Sequence, residues 1–279
     1  MKKDLYLDIV KKVLTASIYK QSSWTPVYMD RTDWRNDKYI FRRVKNFLKN
    51  YIVTYLDKRS YSIIKRIPLD LTARNLGKDW PQLLGYTMIG HKRLDNLQFC
   101  IEDVLQKNIP GDFIETGAWR GGATIFMRAV LKSNNVVDRC VWVADSFEGL
   151  PKPKNKGDGY DLSAVAHLKV SLDEVQENFR NFDLLDDQVK FLKGWFSDTL
   201  PSAGIEKIAI LRLDGDMYSS TMDALVNLYP KVCKGGYIII DDFYSWESCR
   251  NAVNDYIKYN NLNASIIRID DDAAYWRSV

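Results

Sequence analysis

The chain has 279 residues, 46% hydrophobic and 27% charged, with a formal net charge of +4. These are the proportions of an ordinary soluble globular protein with one substantial core, or one core plus an appendage. The cysteines, Cys100, Cys140, Cys233 and Cys249, form no CxxC pair; that argues against a zinc site or a disulfide framework and fits a reducing compartment.

At the front, Asp4 and Asp8 interrupt any signal-peptide core, and no apolar run approaches the ~20 residues that span a bilayer. A cytoplasmic protein with no transmembrane segment is the expectation. Residues 1–66 carry 16 Lys and Arg against six acids, whereas the remainder carries 24 against 30. A basic front and an acidic body suggest different roles. Residues 1–85 read as a helical, basic cap, with a basic amphipathic helix over Asp37–Leu56. Residues 86–279 read as the main domain.

From residue 97 onward helix and strand alternate. Leu97–Leu105 ends an amphipathic helix, stopped near Ile109-Pro110-Gly111. Strands are expected at Asp112–Thr116, Cys140–Ala144, Val189–Leu192, Ile208–Leu213 and Tyr237–Ile240. Helices are expected at Thr124–Leu131, Leu172–Phe182 and Ser220–Leu228. Continuous β-branched runs are the habit of strands covered on both faces. Repeated units of this length predict an α/β fold with a doubly wound open sheet. The polar stretch Lys152–Asp161 reads as a mobile loop over the site.

Ligands of such sheets bind at the carboxyl ends of the strands. Those positions here hold Glu115, Thr116 and Gly117; Asp145 and Ser146; Gly194, Trp195 and Phe196; Asp214 and Asp216; Asp241 and Asp242. The rim is mostly carboxylate. A dinucleotide carries a pyrophosphate and wants GxGxxG. S-adenosylmethionine has no phosphate, but an ammonium, a sulfonium and a ribose diol, and prefers acids and a roomy glycine turn. The stretch from Glu115 to Gly122 has the ExGxxxG form. Gly117 lets the backbone approach the methionine moiety, and Asp145 is placed to accept the ribose hydroxyls.

Asp214 and Asp216 lie two apart at one strand end, and Asp241 and Asp242 end the next strand. If the strands are neighbours, four carboxylates converge, raise one another's pKa values and call for a divalent cation. All-oxygen ligands select magnesium, calcium or manganese. Neither His91 nor His167 falls in these motifs. The chemistry that follows is activation of a substrate hydroxyl, deprotonation by a nearby carboxylate, and in-line attack on the sulfonium methyl. A nicotinamide oxidoreductase and a catalytically silent binding subunit are the competing readings. The first lacks GxGxxG, and the second leaves the intact acids unexplained.

The segments TMIGHKRLDNLQ (87–98), PGDFIETGAWRGG (110–122), VADSFEGLP (143–151), LKGWFSDTLP (192–201), LRLDGDMYSSTMDAL (211–225) and GGYIIIDDF (235–243) resemble the macrocin O-methyltransferase (TylF) family. The resemblance covers residues 4–20 and 73–277; the basic, aromatic stretch around 21–72 departs from it. It implies the Rossmann-like sheet of class I methyltransferases and magnesium-dependent methylation of a sugar hydroxyl on a natural product. A non-sugar hydroxyl on a polyketide or peptide is the alternative acceptor. The resemblance also implies that Asp216, Asp241 and Asp242 bind magnesium and Asp214 is the general base. Thr87, Met88 and Gly90 would close over the S-adenosylmethionine. A small-molecule partner and a homodimer or larger homo-oligomer are expected, and no nucleic acid.

Overall fold

The computed structural model describes residues 2–19, 23–26, 40–61, 63–67, 70–78, 84–154 and 156–279. Its main sheet has seven strands: β3 (Asp112–Thr116), β4 (Val141–Asp145), β5 (Val189–Lys193), β6 (Ile208–Leu213), β7 (Val232–Ile240), β8 (Ile267–Arg268) and β9 (Ala274–Arg277). Their order is β5-β4-β3-β6-β7-β9-β8. The first five run parallel, and β9 is antiparallel to both β7 and β8. The chain winds outward from β3 to β5 and then restarts at β6 on the other side of β3. That reversal opens a crevice above the carboxyl ends of β3 and β6.

Every residue of β6 is buried, as a central strand covered on both faces requires. Alternate residues serve opposite layers. Phe113 and Ile210 join one core cluster with Leu94, Leu97 and Ile125, while Ile114 and Leu211 join the other with Leu225 and Val253. The first cluster lies under α4 (His91–Gln106) and α5 (Gly122–Ser133), the second under α8 (Tyr218–Leu228) and α9 (Glu247–Tyr259). Between them come α6 (Leu172–Asn181) and the short α7 (Phe196–Thr199). Helix α1 (Lys2–Leu14) sends Leu7, Val10 and Leu14 into the first cluster, so it packs as part of the body.

The expected helix at 37–56 is found as α2 (Ile40–Asp57); residues 37–39 lie outside the described residues. Two features differ from a purely helical front. Ser23–Pro26 (β1) and Ile64–Ile67 (β2) pair as an antiparallel two-stranded sheet, and a five-residue helix, α3 (Leu71–Asn75), follows. Pairing across some forty residues leaves no trace in local periodicity. Likewise β7 starts five residues before the expected Tyr237, because Cys233-Lys234-Gly235 interrupts its apolar run. Within the expected loop, among the described residues 152–154 and 156–161, Asp158 anchors the chain to α8. Asp158 is 1% exposed; it accepts hydrogen bonds from the backbone N–H groups of Lys154 and of Ser219 at the start of α8, both at 2.8 Å.

Candidate active site

Strand register decides which side chains meet. Glu115 of β3 lies beside Arg212 of β6, and Leu213 lies beside Ile240 of β7. Two residues beyond Arg212 comes Asp214, and two beyond Ile239 comes Asp241. Period-two alternation therefore puts Glu115, Arg212, Asp214 and Asp241 on one side of the strand ends. Arg212 is 2% exposed. It donates to Asp214 Oδ2 at 2.7 Å and also to Glu115 and Asp241. Burial alone would push the guanidinium down, but Asp241, Asp214 and Glu115 hold it above its ordinary range. Glu115 is buried too, and burial raises its carboxyl to about 8 against the pull of Arg212. One guanidinium shared by three acids leaves this one short of neutralisation.

The next turn gathers a second group. Asp216 adopts φ +55°, a left-handed conformation that Asp tolerates better than most residues. The turn carries its carboxylate back toward the strand ends. Carboxylate oxygens of Asp214, Asp216 and Asp242 lie within 4.8 Å of one another. Burial, and then the neighbouring charges, raise the pKa of all three. Asp242 is 8% exposed and its Oδ2 has no hydrogen-bond partner. A buried carboxylate oxygen without a donor, facing two more acids, suits an oxygen-loving cation.

Asp241 is not in that group. Its Oδ1 faces Arg212, and its Oδ2 takes Arg93 of α4 at 2.6 Å. Of the acids expected on a metal, Asp216 and Asp242 are brought together, whereas Asp241 is turned to two guanidiniums. Asp214, expected as a base, stands with the metal group while also accepting from Arg212.

Above these acids lies a cavity of about 330 Å³, within the size range of small-molecule sites. Met88, Gly117, Asp145 and Ser146 line one part of it, and Gly194, Trp195, Phe196, Asp214 and Asp216 another. Gly117 has φ +91°, and a Cβ there would lie 1.8 Å from the Asp214 carbonyl oxygen. Only glycine lets the two strand ends approach so closely. Asp145 organises the glycine turn: its Oδ2 accepts from the N–H of Ala118 (2.8 Å) and Trp119 (3.3 Å), and its Oδ1 from that of Phe147 (2.8 Å). Burial raises this carboxyl, and the three N–H donors oppose the rise. An acid, a glycine turn and apolar walls suit a cationic nucleoside.

The remaining expected residues stand behind the wall. Glu115 and Thr116 are 1% exposed and Thr87 is 5% exposed; none of the three lines the cavity. Thr87 packs against Gly122, and Gly90 caps α4 and packs on the backbone of Asn75–Gly77. Arg212, Arg93, Trp119 and Lys154 lie outside the expected site residues, although Trp119 and Lys154 line the cavity. Arg212 had a signal: a charged residue inside the apolar run IAILRL must have a buried partner. Trp119 lines the cavity while its Nε1 donates to the His167 carbonyl at 2.8 Å. Arg93 had no local signal, and Lys154 was legible only as part of the polar loop expected over the site.

Three comparisons bear on this geometry. The family model described as Macrocin-O-methyltransferase (TylF) matches residues 3–278, so the match runs through the stretch 21–72 expected to depart from the family. The chain is 43% identical to demethyldecarbamoylnovobiocin O-methyltransferase of Streptomyces niveus, over 98% of this chain and 93% of that protein. It is 49% identical to mycinamicin III 3''-O-methyltransferase of Micromonospora griseorubida, over 74% of this chain and 83% of that protein. Among solved structures, the O-methyltransferase NovP superposes with a TM-score of 0.79 at 41% identity, covering 99% of both chains.

Proposed function

The chain belongs to the macrocin O-methyltransferase (TylF) family, and from that premise we propose that it methylates a sugar hydroxyl of a small natural product, using S-adenosylmethionine and a divalent cation. The carrying observation is the meeting of Asp214, Asp216 and Asp242 within 4.8 Å at the edge of a cavity lined by Gly117 and Asp145.

Asp214, Asp216 and Asp242 are the residues that would hold the cation. When bound, such an ion supplies Lewis acidity to neighbouring substrate oxygens, and the sulfonium donor supplies an electrophilic methyl. Asp145 and the turn it organises hold the nucleoside end, with Trp195, Phe196 and Met88 as apolar walls. Asp216 takes the hydroxyl proton. Asp214 was the first candidate, but its Oδ2 is committed to Arg212, whereas no guanidinium contacts Asp216 among the described residues. Trp119, Pro151 and Lys154, which also line the cavity, exclude water from the methyl-transfer path. Vicinal sugar hydroxyls favour the sugar acceptor, because two adjacent oxygens chelate where one does not.

We also assign the exposed apolar side chains of α2, Phe47, Leu48, Tyr51 and Ile52, to contact with a second copy of the chain. The basic front of one copy complements the acidic body of the other.

Calorimetric titration of S-adenosylmethionine, with magnesium and with chelator, followed by mass-spectrometric screening of glycosides, tests the reading. Saturable binding and metal-dependent gain of one methyl group are expected. Absence of donor binding under both conditions would overturn it.

A further inference from the structure

Arg93 lies in the first turn of α4, three residues after the helix cap Gly90. It is 8% exposed, and its guanidinium serves three carboxylates on two separate segments. One amino group donates to Asp241 Oδ2 at 2.6 Å, Nε donates to Asp270 Oδ2 at 2.8 Å, and the other amino group donates to Asp272 Oδ2 at 2.7 Å. Asp270 in turn accepts from the backbone N–H groups of Asp272 and Ala273, so the turn between β8 and β9 is built around this arginine. Asp272 also pairs with Lys78, the residue after Gly77.

The same stretch of chain reaches the cavity. Met88, two residues before Gly90, is part of its wall. The backbone there has little room to shift. A Cβ on Gly90 would lie 2.3 Å from the Asn75 carbonyl oxygen, and one on Gly77 would lie 2.7 Å from that of Met88. Arg212 pins the other oxygen of Asp241 from within the sheet. Arg93 pins Asp241 to a helix outside the sheet, and that helix starts where the cavity wall ends.

Buried ion networks are often replaced by apolar side chains of similar volume without loss of stability. A link between two binding sites is a use that an apolar residue does not supply. We propose that Arg93 is a positioning residue that couples the acidic centre to the methyl-donor cavity. It joins Asp241, next to Asp242, to the segment carrying Met88, so that a ligand in one part orders the other. The coupling rests on the reading of the site given above. Arg93 itself does not line the cavity.

Coupling between two ligands is reciprocal, which makes it measurable without turnover. Manganese is titrated into the full chain with and without S-adenosylhomocysteine, and S-adenosylhomocysteine with and without manganese. The proteins compared are wild type, Arg93→Lys, Arg93→Met and Asp270→Asn. In wild type each ligand is expected to tighten the other by about five-fold or more. In Arg93→Met the ratio should fall to about one, with Arg93→Lys and Asp270→Asn between. A residue that only stabilised the fold would lower the melting temperature and leave the ratio alone. Wild-type ratios in Arg93→Met and Asp270→Asn would overturn the proposal, as would a ratio of one in wild type that binds both ligands. If Arg93→Met does not fold, Asp270→Asn decides in the same way. Wild type that binds neither ligand would overturn the reading of the site itself, a distinct result.

Discussion

Asp216 and Asp145 are both acids at strand ends, and their surroundings give them different tasks. Asp216 sits among like charges, in a left-handed turn. Asp145 is ringed by backbone N–H donors. Replacing Asp216 by Asn keeps the turn chemistry and removes one of three repelling carboxylates. Asp216→Asn is therefore expected to keep or raise the melting temperature. In chelator, where coupling to a cation plays no part, S-adenosylhomocysteine binding should stay within about two-fold of wild type, because Asp216 is placed on the cation and not on the donor. Turnover should fall by about a hundred-fold or more, because the variant loses the proton acceptor and one ligand of the cation together. Turnover close to wild type would remove Asp216 from proton transfer. Asp145→Ala does the opposite. It strips acceptors from the N–H groups of Ala118, Trp119 and Phe147, so the glycine turn loses its organiser as well as its contact with the nucleoside. Donor affinity should fall by about 1.5–3 kcal/mol, read by calorimetry, and a wild-type constant would exclude Asp145 from the donor site.

At the level of elements, how the acids come together depends on register, and register was only half legible. The runs DFIET, CVWVA and IAILRL announce buried strands, and the acids at or just beyond their ends announce a rim. That β6 and β7 are neighbours had to be assumed from the sequence, and the structure makes them so. Which oxygens face one another was not legible. Asp241 and Asp242 are adjacent in sequence and therefore leave the strand on opposite sides, one toward Arg212 and Arg93, the other toward Asp216. The antiparallel pair β8 and β9 also escaped, because its strands have two and four residues and the sequence IRIDDDAAYWR gives little period-two signal. The glycines carry a further element-scale consequence. Gly122 opens α5, where alanine would favour the helix by about 1 kcal/mol. A Cβ there, however, would lie 2.4 Å from the Tyr86 carbonyl oxygen and 2.6 Å from Thr87 Cβ. The clash is with backbone, so it outweighs propensity. Gly122→Ala should push residues 86–88 off α5 and weaken S-adenosylhomocysteine more than about ten-fold, with helix content unchanged by circular dichroism. Unaltered binding would mean that the segment holding Met88 is not needed to close the cavity.

Across the whole molecule, charge acts on stability away from the site and on association. Arg128 of α5 grips Asp186 in a bidentate pair, Nε to Oδ1 at 3.0 Å and the amino group to Oδ2 at 2.6 Å. Burial raises the Asp186 carboxyl, but the guanidinium and the backbone N–H of Gln188 outweigh it and hold the group below its ordinary value. A depressed folded-state pKa contributes stability above the unfolded pKa of about 4, and that contribution is lost as pH falls through the folded value. Asp186→Asn should therefore lower the melting temperature more at pH 7 than at an acid pH below the folded-state value. The carboxylate is 38% exposed, so solvent screening keeps the effect to about 1 kcal/mol or less. An equal deficit at both pH values would mean that the asparagine disturbs packing and not charge. Association calls on the same charges at longer range. In the proposed oligomer the basic front of one copy would attract the acidic body of the other over about a Debye length, near 10 Å at 0.1 M salt. The exposed side chains of α2 would bury apolar surface once in contact. Sedimentation should therefore find a homo-oligomer at low salt. Replacing Phe47 and Tyr51 by serine should dissociate it at any salt, whereas raising salt should weaken the wild type only partly, because apolar burial is not screened. A wild-type monomer at micromolar concentration and low salt would return α2 to some other task.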